Sequence, residues 1–127
     1  MSRQPVVTDR APAAIGPYSQ AIIAGRTLYT SGQTPIDPAT GKLVVGDITA
    51  QTRRVFDNLR AVCTAASADF DQVVRVGIYL TDLADFAAVN AVMVDYFSAP
   101  YPARSTIGVA SLPMGASVEI DLVVVLV

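Results

Sequence analysis

The residue best placed for chemistry in this chain is Arg104, within the stretch Tyr101-Pro-Ala-Arg-Ser-Thr106. Pro100 and Pro102 each fix their own φ near about −65° and push the preceding residue toward extended backbone, so the approach to Arg104 is largely set in advance. A guanidinium fixed in this way matches both oxygens of a small carboxylate, which a lysine cannot do. The stretch makes Arg104 a candidate for binding a carboxylate, but taken alone it favours the alternative, an ordinary surface arginine near the start of a strand.

The types of residue that are missing narrow the chemistry further. The chain has no histidine, and its single cysteine, Cys63, cannot form an internal disulfide. Zinc sites and Ser-His catalysis are therefore excluded, and acid-base work falls to carboxylates, tyrosines or water. Cys63 lies in a helical pattern beside Val62, which favours a small core side chain.

Length, composition and charge predict the number of domains and argue against some kinds of partner. With 127 residues, 52% of them hydrophobic and 16% charged, we expect one domain over residues 1–127. A net charge of −2 supplies no basic face for a phosphate backbone, which argues against a nucleic-acid partner. The longest apolar run, residues 122–127, is far shorter than the ~20 residues of a membrane span, and the N-terminus lacks a signal-peptide pattern. We therefore expect a cytoplasmic protein without membrane association.

Hydrophobic spacing predicts five strands and two helices. The strands are expected over residues 19–24, 27–33, 73–80, 104–110 and 117–127. The helices are expected to begin after Asp47 and after Asp82 or Asp85, and the second to run through Phe97. Residues 1–17 are expected to form an extended arm, and residues 34–46 a loop ordered by turns rather than by regular structure.

The order of these elements, ββ-α-β-α-ββ, predicts a two-layer α+β domain with both helices on one face of a mixed sheet of about five to six strands. Val74 and Phe86 are expected among the buried residues of that layer. The other face is apolar and has no helix to cover it, which predicts a homo-oligomer. Its apolar residues are Tyr29, Tyr79, Val123, Val125 and Val127.

Strand alternation also sorts the polar side chains, placing Ser31, Arg104, Thr106 and Glu119 on the uncovered face. These residues either line a pocket that closes on assembly or serve as interface hydrogen-bonding groups without chemistry. If the last two strands formed a hairpin, a rise of ~3.3 Å per residue would place Arg104 roughly 13 Å from Glu119 along the sheet. Either the two strands are not neighbours, or the two residues meet across subunits.

Several stretches together carry a family resemblance. They are Ala11-Pro-Ala-Ala-Ile-Gly-Pro-Tyr-Ser-Gln20, Thr30-Ser-Gly-Gln33, Asp37-Pro-Ala-Thr-Gly41, Asp85-Phe-Ala-Ala-Val-Asn90, Pro102-Ala-Arg-Ser105, Leu112-Pro113 and Val118-Glu-Ile120. Their combination resembles the RidA/YjgF family from about residue 11 to the end of the chain. The resemblance implies a chorismate-mutase-like α+β fold whose last strand lies inside the sheet. It also implies a homotrimer with pockets between its subunits.

The resemblance further implies a hydrolase that converts enamine and imine intermediates to 2-oxo acids and ammonia without a metal or an organic cofactor. An example of such a substrate is 2-aminoacrylate released by pyridoxal-phosphate dehydratases. By matching motif, Arg104 would bind the substrate carboxylate and Glu119 would position the attacking water, with Tyr18 as a third catalytic residue. The other residues implied in substrate binding are Ser31, Gly32, Asn90 and the backbone N–H of Thr106.

One position departs from the family pattern, because well-studied bacterial relatives carry a cysteine where this chain has Thr106. A thiol-dependent role is therefore excluded at this position. Two alternative functions remain open: a single-strand endoribonuclease, which relatives have been reported to be, and a non-catalytic trimer that binds a small ligand. The sequence has no aromatic and basic strip of the kind that binds single strands, which argues against the nuclease.

Overall fold

The computed structural model describes residues 2–127 and contains two α-helices, a six-stranded sheet and a separate two-stranded sheet. In chain order the elements are β1 (Arg3–Val6), β2 (Ala21–Ala24), β3 (Thr27–Thr30), β4 (Ile36–Asp37), β5 (Lys42–Leu43), α1 (Ile48–Ala65), β6 (Val73–Leu80), α2 (Phe86–Tyr96), β7 (Ala103–Gly108) and β8 (Val118–Val125). Short 3₁₀ turns precede β6, α2 and β8. The α+β prediction is confirmed.

The large sheet has the strand order β1-β2-β3-β8-β6-β7. All neighbouring strands are antiparallel except β6 and β7, which are parallel, so the sheet is mixed as predicted. The last strand, β8, lies between β3 and β6, and β6 separates it from β7. The hairpin between the last two strands is thereby excluded, and the interior position of β8 explains why its residues are so apolar.

Both helices pack on one face of this sheet. Helix α1 begins where the sequence predicts, because the Asp47 carboxylate accepts a hydrogen bond from the Ala50 N–H at 2.9 Å. Its inward residues Val55, Leu59 and Val62 are fully buried against strand residues that are themselves buried. Those strand residues are Leu28, Val76, Ile78, Leu80, Val118, Ile120, Leu122 and Val124. Neither helix of residues 2–127 lies over the opposite face of the sheet, as predicted.

Cys63 is completely buried in this core. Burial raises the pKa of its thiol to about 12, with the Asp69 charge as a smaller cause, so the thiolate is not available near neutral pH. The interpretation of Cys63 as a core side chain is confirmed.

Two segments are more regular than the sequence indicates. The N-terminal arm is not only an extended lead, because Arg3–Val6 pairs with β2 as the edge strand of the sheet. The loop over residues 34–46 contains the small hairpin of β4 and β5, in which Ile36 pairs with Leu43. Strands this short carry too little alternation to be recognised from sequence.

Two predicted core residues are partly exposed instead. Val74 is 46% exposed because a bulge between Val73 and Arg75 shifts the register of β6 against β8 and interrupts the alternation. Phe86 is 36% exposed because it is the first residue of α2, at the margin of the core. Val92, which the predicted stripe omits, is buried in α2.

Within residues 2–127, no helix combines the length and apolarity that crossing a membrane requires.

Candidate functional site

Arg104 lies on the edge strand β7, and its side chain faces the helices. In the parallel pairing of β6 with β7, Arg104 is opposite Val76 and Thr106 is opposite Ile78, so each shares a face with a buried residue of β6. The prediction that Arg104 and Thr106 lie on the uncovered face is therefore wrong. The prediction assigned the apolar face of each strand to the helices, but in β7 the side chains that share a face with the buried Val76 and Ile78 are the polar Arg104 and Thr106.

The guanidinium of Arg104 is held by residues of α2. Its Nη1 donates a short hydrogen bond to the Asn90 side-chain oxygen and approaches the Met93 sulfur at 3.7 Å. Its central carbon lies 5.1 Å from the centroid of the Phe86 ring, a cation–π contact. Asn90 was predicted in the site, whereas Phe86 was assigned to the core because its spacing fits the buried stripe equally well.

An open cavity of about 530 Å³ adjoins this arginine. It is lined by Asn90, Met93, Val94, Tyr101, Pro102 and Arg104. Among the described residues Arg104 has no carboxylate partner, since the one salt bridge there joins Arg53 to Asp95. The arrangement is a fixed cation with unused N–H donors beside an apolar cavity, which suits a small carboxylate ligand.

Glu119 lies on the other face of the sheet, in the interior strand β8, where it is half-buried. Burial raises the pKa of its carboxyl above the usual range, and the charge of Asp121 raises it further. The carboxylate lies directly over the backbone of Gly32, where a Cβ would overlap it. Only glycine therefore leaves room for Glu119 in this position.

A second cavity, of about 650 Å³, surrounds Glu119. Of the predicted site residues it is lined by Tyr18, Ser31, Gly32 and Glu119, and Ile15 and Met114 add apolar walls. Ser31 is held by donating its hydroxyl to the Ser19 carbonyl at 2.6 Å. The carboxylate thus lies in a largely apolar cavity with three hydroxyl-bearing side chains, those of Tyr18, Ser31 and Thr34, where a water molecule can be positioned.

Two buried amides hold the segments that wall this second cavity. Gln20 accepts from the Thr8 N–H at 2.8 Å and donates to the carbonyls of Thr8 and Pro12 at 3.0 and 2.8 Å, which fixes the arm before Tyr18. Asn58 in α1 donates to the Ile36 carbonyl at 2.9 Å and so anchors the loop after β3. Sequence reasoning missed both residues.

The signal for Asn58 was present, because it lies beside Leu59 on the inner stripe of α1. A polar residue at an inward position of an amphipathic helix must find partners when it is buried. Gln20 had no comparable signal from periodicity, because its partners are backbone N–H and carbonyl groups of an irregular segment.

The structure therefore sorts the predicted residues into two separate places within one chain. Arg104 and Asn90 line the first cavity, and Tyr18, Ser31, Gly32 and Glu119 line the second. Thr106 lines neither cavity, and its buried hydroxyl has no hydrogen-bond partner in the described part of the chain. No group of three or more His, Cys, Asp or Glu side chains in residues 2–127 is arranged to hold a metal ion.

Comparison with known proteins places the chain in a family. The family model described as Endoribonuclease L-PSP matches residues 8–126. A 2-iminobutanoate/2-iminopropanoate deaminase of Capra hircus is 45% identical over 123 residues, covering 97% of this chain and 90% of the relative.

Two solved structures have the same fold. The crystal structure of YyfA from Yersinia pestis, of unknown function in the conserved Rid protein family, has a TM-score of 0.96 at 44% identity, covering 98% of this chain and 100% of its own. The structure of E. coli TdcF with bound serine has a TM-score of 0.90 at 38% identity, covering 96% of this chain and 98% of its own. The matches run along almost the whole chain, and the chain belongs to the RidA/YjgF (Rid) family that the Endoribonuclease L-PSP model describes.

Proposed function

We propose that this chain hydrolyses small imines and enamines that carry a carboxylate, such as 2-iminobutanoate or 2-aminoacrylate, to 2-oxo acids and ammonia. The observation that carries the proposal is Arg104, which α2 holds in place while leaving it without a carboxylate partner in the described chain. The deaminase name of the goat relative and the serine bound to TdcF, a ligand with a carboxylate, both support it.

Glu119 supplies the proton chemistry in this proposal. An enamine becomes a protonated imine when its terminal carbon takes up a proton from solvent. On the protonated imine, a water held by Glu119 adds its oxygen to the imine carbon and gives one proton to the carboxylate. The carboxyl returns that proton to nitrogen, the C–N bond breaks with its electrons on nitrogen, and the hydroxyl proton is lost as the ketone forms. A carboxyl whose pKa is raised toward neutrality is suited to both transfers.

Arg104 and Glu119 face opposite sides of the sheet, so the proposal requires an assembly that brings two copies together. We propose a homotrimer in which Arg104 of one copy and Glu119 of the next enclose one substrate. The uncovered sheet face supports this assembly, since Tyr29 and Val125 are 51% and 43% exposed there. Closure between copies would exclude water and strengthen the contact of Arg104 with the substrate.

The activity is tested by adding the purified protein to a serine or threonine dehydratase and following ammonia and 2-oxo acid release. The proposal predicts faster release, unchanged by prior treatment with a chelator, and no acceleration by Arg104→Ala. Absence of acceleration by the unmodified protein, across several imine and enamine substrates, would overturn the proposed function.

The shared site is tested by mixing two inactive variants, Arg104→Ala and Glu119→Gln, after unfolding and joint refolding. If one site uses Arg104 from one copy and Glu119 from the next, about one quarter of the sites in randomly mixed trimers regain both residues. Each variant refolded alone is the control and stays inactive. Failure of the refolded mixture to regain activity contradicts the site between copies.

The description of the matching family model, Endoribonuclease L-PSP, favours one rival function. The same preparation and its Arg104→Ala variant are therefore assayed in parallel for cleavage of single-stranded RNA. RNA cleavage that elutes with the protein and disappears in the variant would replace the deaminase proposal.

A further inference from the structure

A hydrogen bond beside Glu119 has no part in the chemistry described above. On the open face of the sheet, the Tyr79 hydroxyl donates to the Asp121 carboxylate at 3.0 Å. Both side chains are half-buried. Donation to Asp121 is the first cause, and burial the second, of a raised pKa of the Tyr79 phenol.

The register of the sheet explains how this pair comes to lie next to Glu119. Tyr79 of β6 is opposite Glu119 of β8, and Gly77 is opposite Asp121. The Tyr79 side chain therefore reaches diagonally from its position beside Glu119 to the carboxylate two residues farther along β8. Glu119 and Asp121 share one face of that strand at a spacing of about 7 Å.

Gly77 makes the arrangement possible. A Cβ on Gly77 would overlap the Asp121 carboxylate and lie 3.1 Å from the Tyr79 hydroxyl. The missing side chain leaves a recess over β6 in which the hydrogen bond forms. The Asp121 carboxylate therefore lies over the backbone of Gly77 on β6.

No other ionisable group near Glu119 in the described chain places a negative charge on the same face of β8. Tyr18 comes from the arm and lines the same cavity as Glu119. Arg75 shares the open face of β6, but its Nη2 donates to Ser105 of β7 at 2.9 Å, on the side of β6 away from β8. Asp121 is the acidic group on the same face of Glu119's own strand.

We propose that Asp121, held by Tyr79 over the backbone of Gly77, is a positioning residue that keeps a negative charge beside Glu119 and so strengthens Glu119 as the base of the reaction. The inference rests on the deaminase function proposed above for the role of Glu119. Asp121 touches no substrate in it. A like charge at this distance disfavours ionisation of the neighbouring carboxyl, and partial burial reduces the screening of that effect.

The experiment measures the titration of Glu119 directly. Glu119 is the only glutamate in the sequence, so side-chain ¹³C labelling of glutamate gives one carboxyl resonance, whose assignment Glu119→Gln confirms by its loss. The labelled protein is titrated by NMR as wild type, Asp121→Asn, Tyr79→Phe and Asp71→Asn. Asn at 121 retains an acceptor for the Tyr79 hydroxyl, and Asp71→Asn is an exposed control with the same change of net charge.

The expected result is a lower titration midpoint of Glu119 in Asp121→Asn, a smaller decrease in Tyr79→Phe and no change in Asp71→Asn. An unchanged or higher midpoint in Asp121→Asn overturns the inference. If Asp121→Asn lowers the midpoint and Tyr79→Phe does not, the part assigned to Tyr79 is wrong.

The activity profile then separates this inference from the proposed function. The acid limb of kcat/KM against pH should move to lower pH in Asp121→Asn, in step with the NMR midpoint. If the protein has no deaminase activity, the proposed function fails while the NMR titration still tests the effect of Asp121 on Glu119. If activity is present and the limb stays in place while the NMR midpoint moves, the assignment of Glu119 as the base is overturned.

Discussion

Arg104 lies on the edge strand β7 and faces helix α2, whereas Glu119 lies on the interior strand β8 and faces away from both helices. The arginine is exposed and is held by side chains of the helix. The carboxylate is half-buried and lies against the backbone of Gly32.

This difference follows from the chemistry of the two groups. A guanidinium stays charged in nearly any surroundings, so its environment needs only to orient it. A carboxyl acquires a useful proton affinity from burial and from neighbouring charge, so it has to lie deeper in the fold. In the proposed deaminase, the region around Arg104 therefore binds the substrate, the region around Glu119 transfers protons, and neither region is sufficient alone.

The largest effect is expected from changing the shape of the cation. Arg104→Lys should lose nearly as much kcat/KM as Arg104→Ala, on the order of a thousandfold, because losing a charge-assisted pair that the proposed assembly closes off from water costs roughly 4 kcal/mol. A lysine retains the charge but not the planar arrangement of donors. Steady-state kinetics with the dehydratase-coupled assay measure both variants.

The matched control for this prediction is Arg53→Lys, which alters an exposed arginine on α1 in the same way and should leave kcat/KM unchanged. If Arg104→Lys retained most of the wild-type kcat/KM, bidentate binding of the substrate carboxylate by Arg104 would be wrong.

The next effect tests whether the two regions work together. Val125→Asp places a charge on the uncovered sheet face and should lower both the trimer fraction and the activity, the latter by on the order of a hundredfold at low protein concentration. Light scattering combined with the coupled assay measures the two quantities. Val45→Asp is the control, since Val45 is fully exposed and lies outside the strands.

A folded Val125→Asp monomer with full activity would contradict both the proposed assembly and the site between copies. Circular dichroism establishes whether the variant is folded.

A smaller effect is expected at the backbone beneath the carboxylate. Gly32→Ala should displace Glu119 because the new Cβ overlaps it, and displacement by about 1 Å costs on the order of 10- to 100-fold in kcat. KM should change little, because the Arg104 guanidinium that binds the substrate carboxylate is untouched. Stopped assays at saturating substrate separate the two parameters.

A double-mutant cycle sharpens this test. The loss of thermal stability from Gly32→Ala should disappear in a Glu119→Ala background, since the overlapping side chain is then gone. An equal loss of stability in both backgrounds would show that Gly32 is required for another reason.

The smallest effect concerns stability and pH. The pKa of Glu119 is higher in the folded state than in the unfolded state. Between the ordinary glutamate pKa and the raised one, the folded state therefore binds more protons than the unfolded state. The free energy of unfolding consequently falls as the pH rises through that window. Glu119→Gln should therefore have a higher Tm than the wild type above the window. The difference should shrink as pH falls below the ordinary glutamate pKa, and differential scanning fluorimetry across pH measures it. A difference that grows on acidification would contradict a raised pKa.

Much of the fold follows from the sequence alone. The stripe of Val55, Leu59 and Val62 predicts α1, and Asp47 marks its start within one residue, because periodicity and capping are local properties. The alternation of β8 predicts a strand with one fully buried face, and the motifs around Arg104 and Glu119 identify the family.

The tertiary structure decided where those residues lie relative to one another. The alternation of residues in β7 predicts that Arg104 and Thr106 share a face of the sheet, but it does not predict which face. The parallel pairing of β7 with β6 places both residues on the helix side. Strand order likewise depends on long-range pairing, which placed β8 between β3 and β6 and put Glu119 in a different cavity from Arg104. Such pairings join residues far apart in the chain, so no local pattern specifies them.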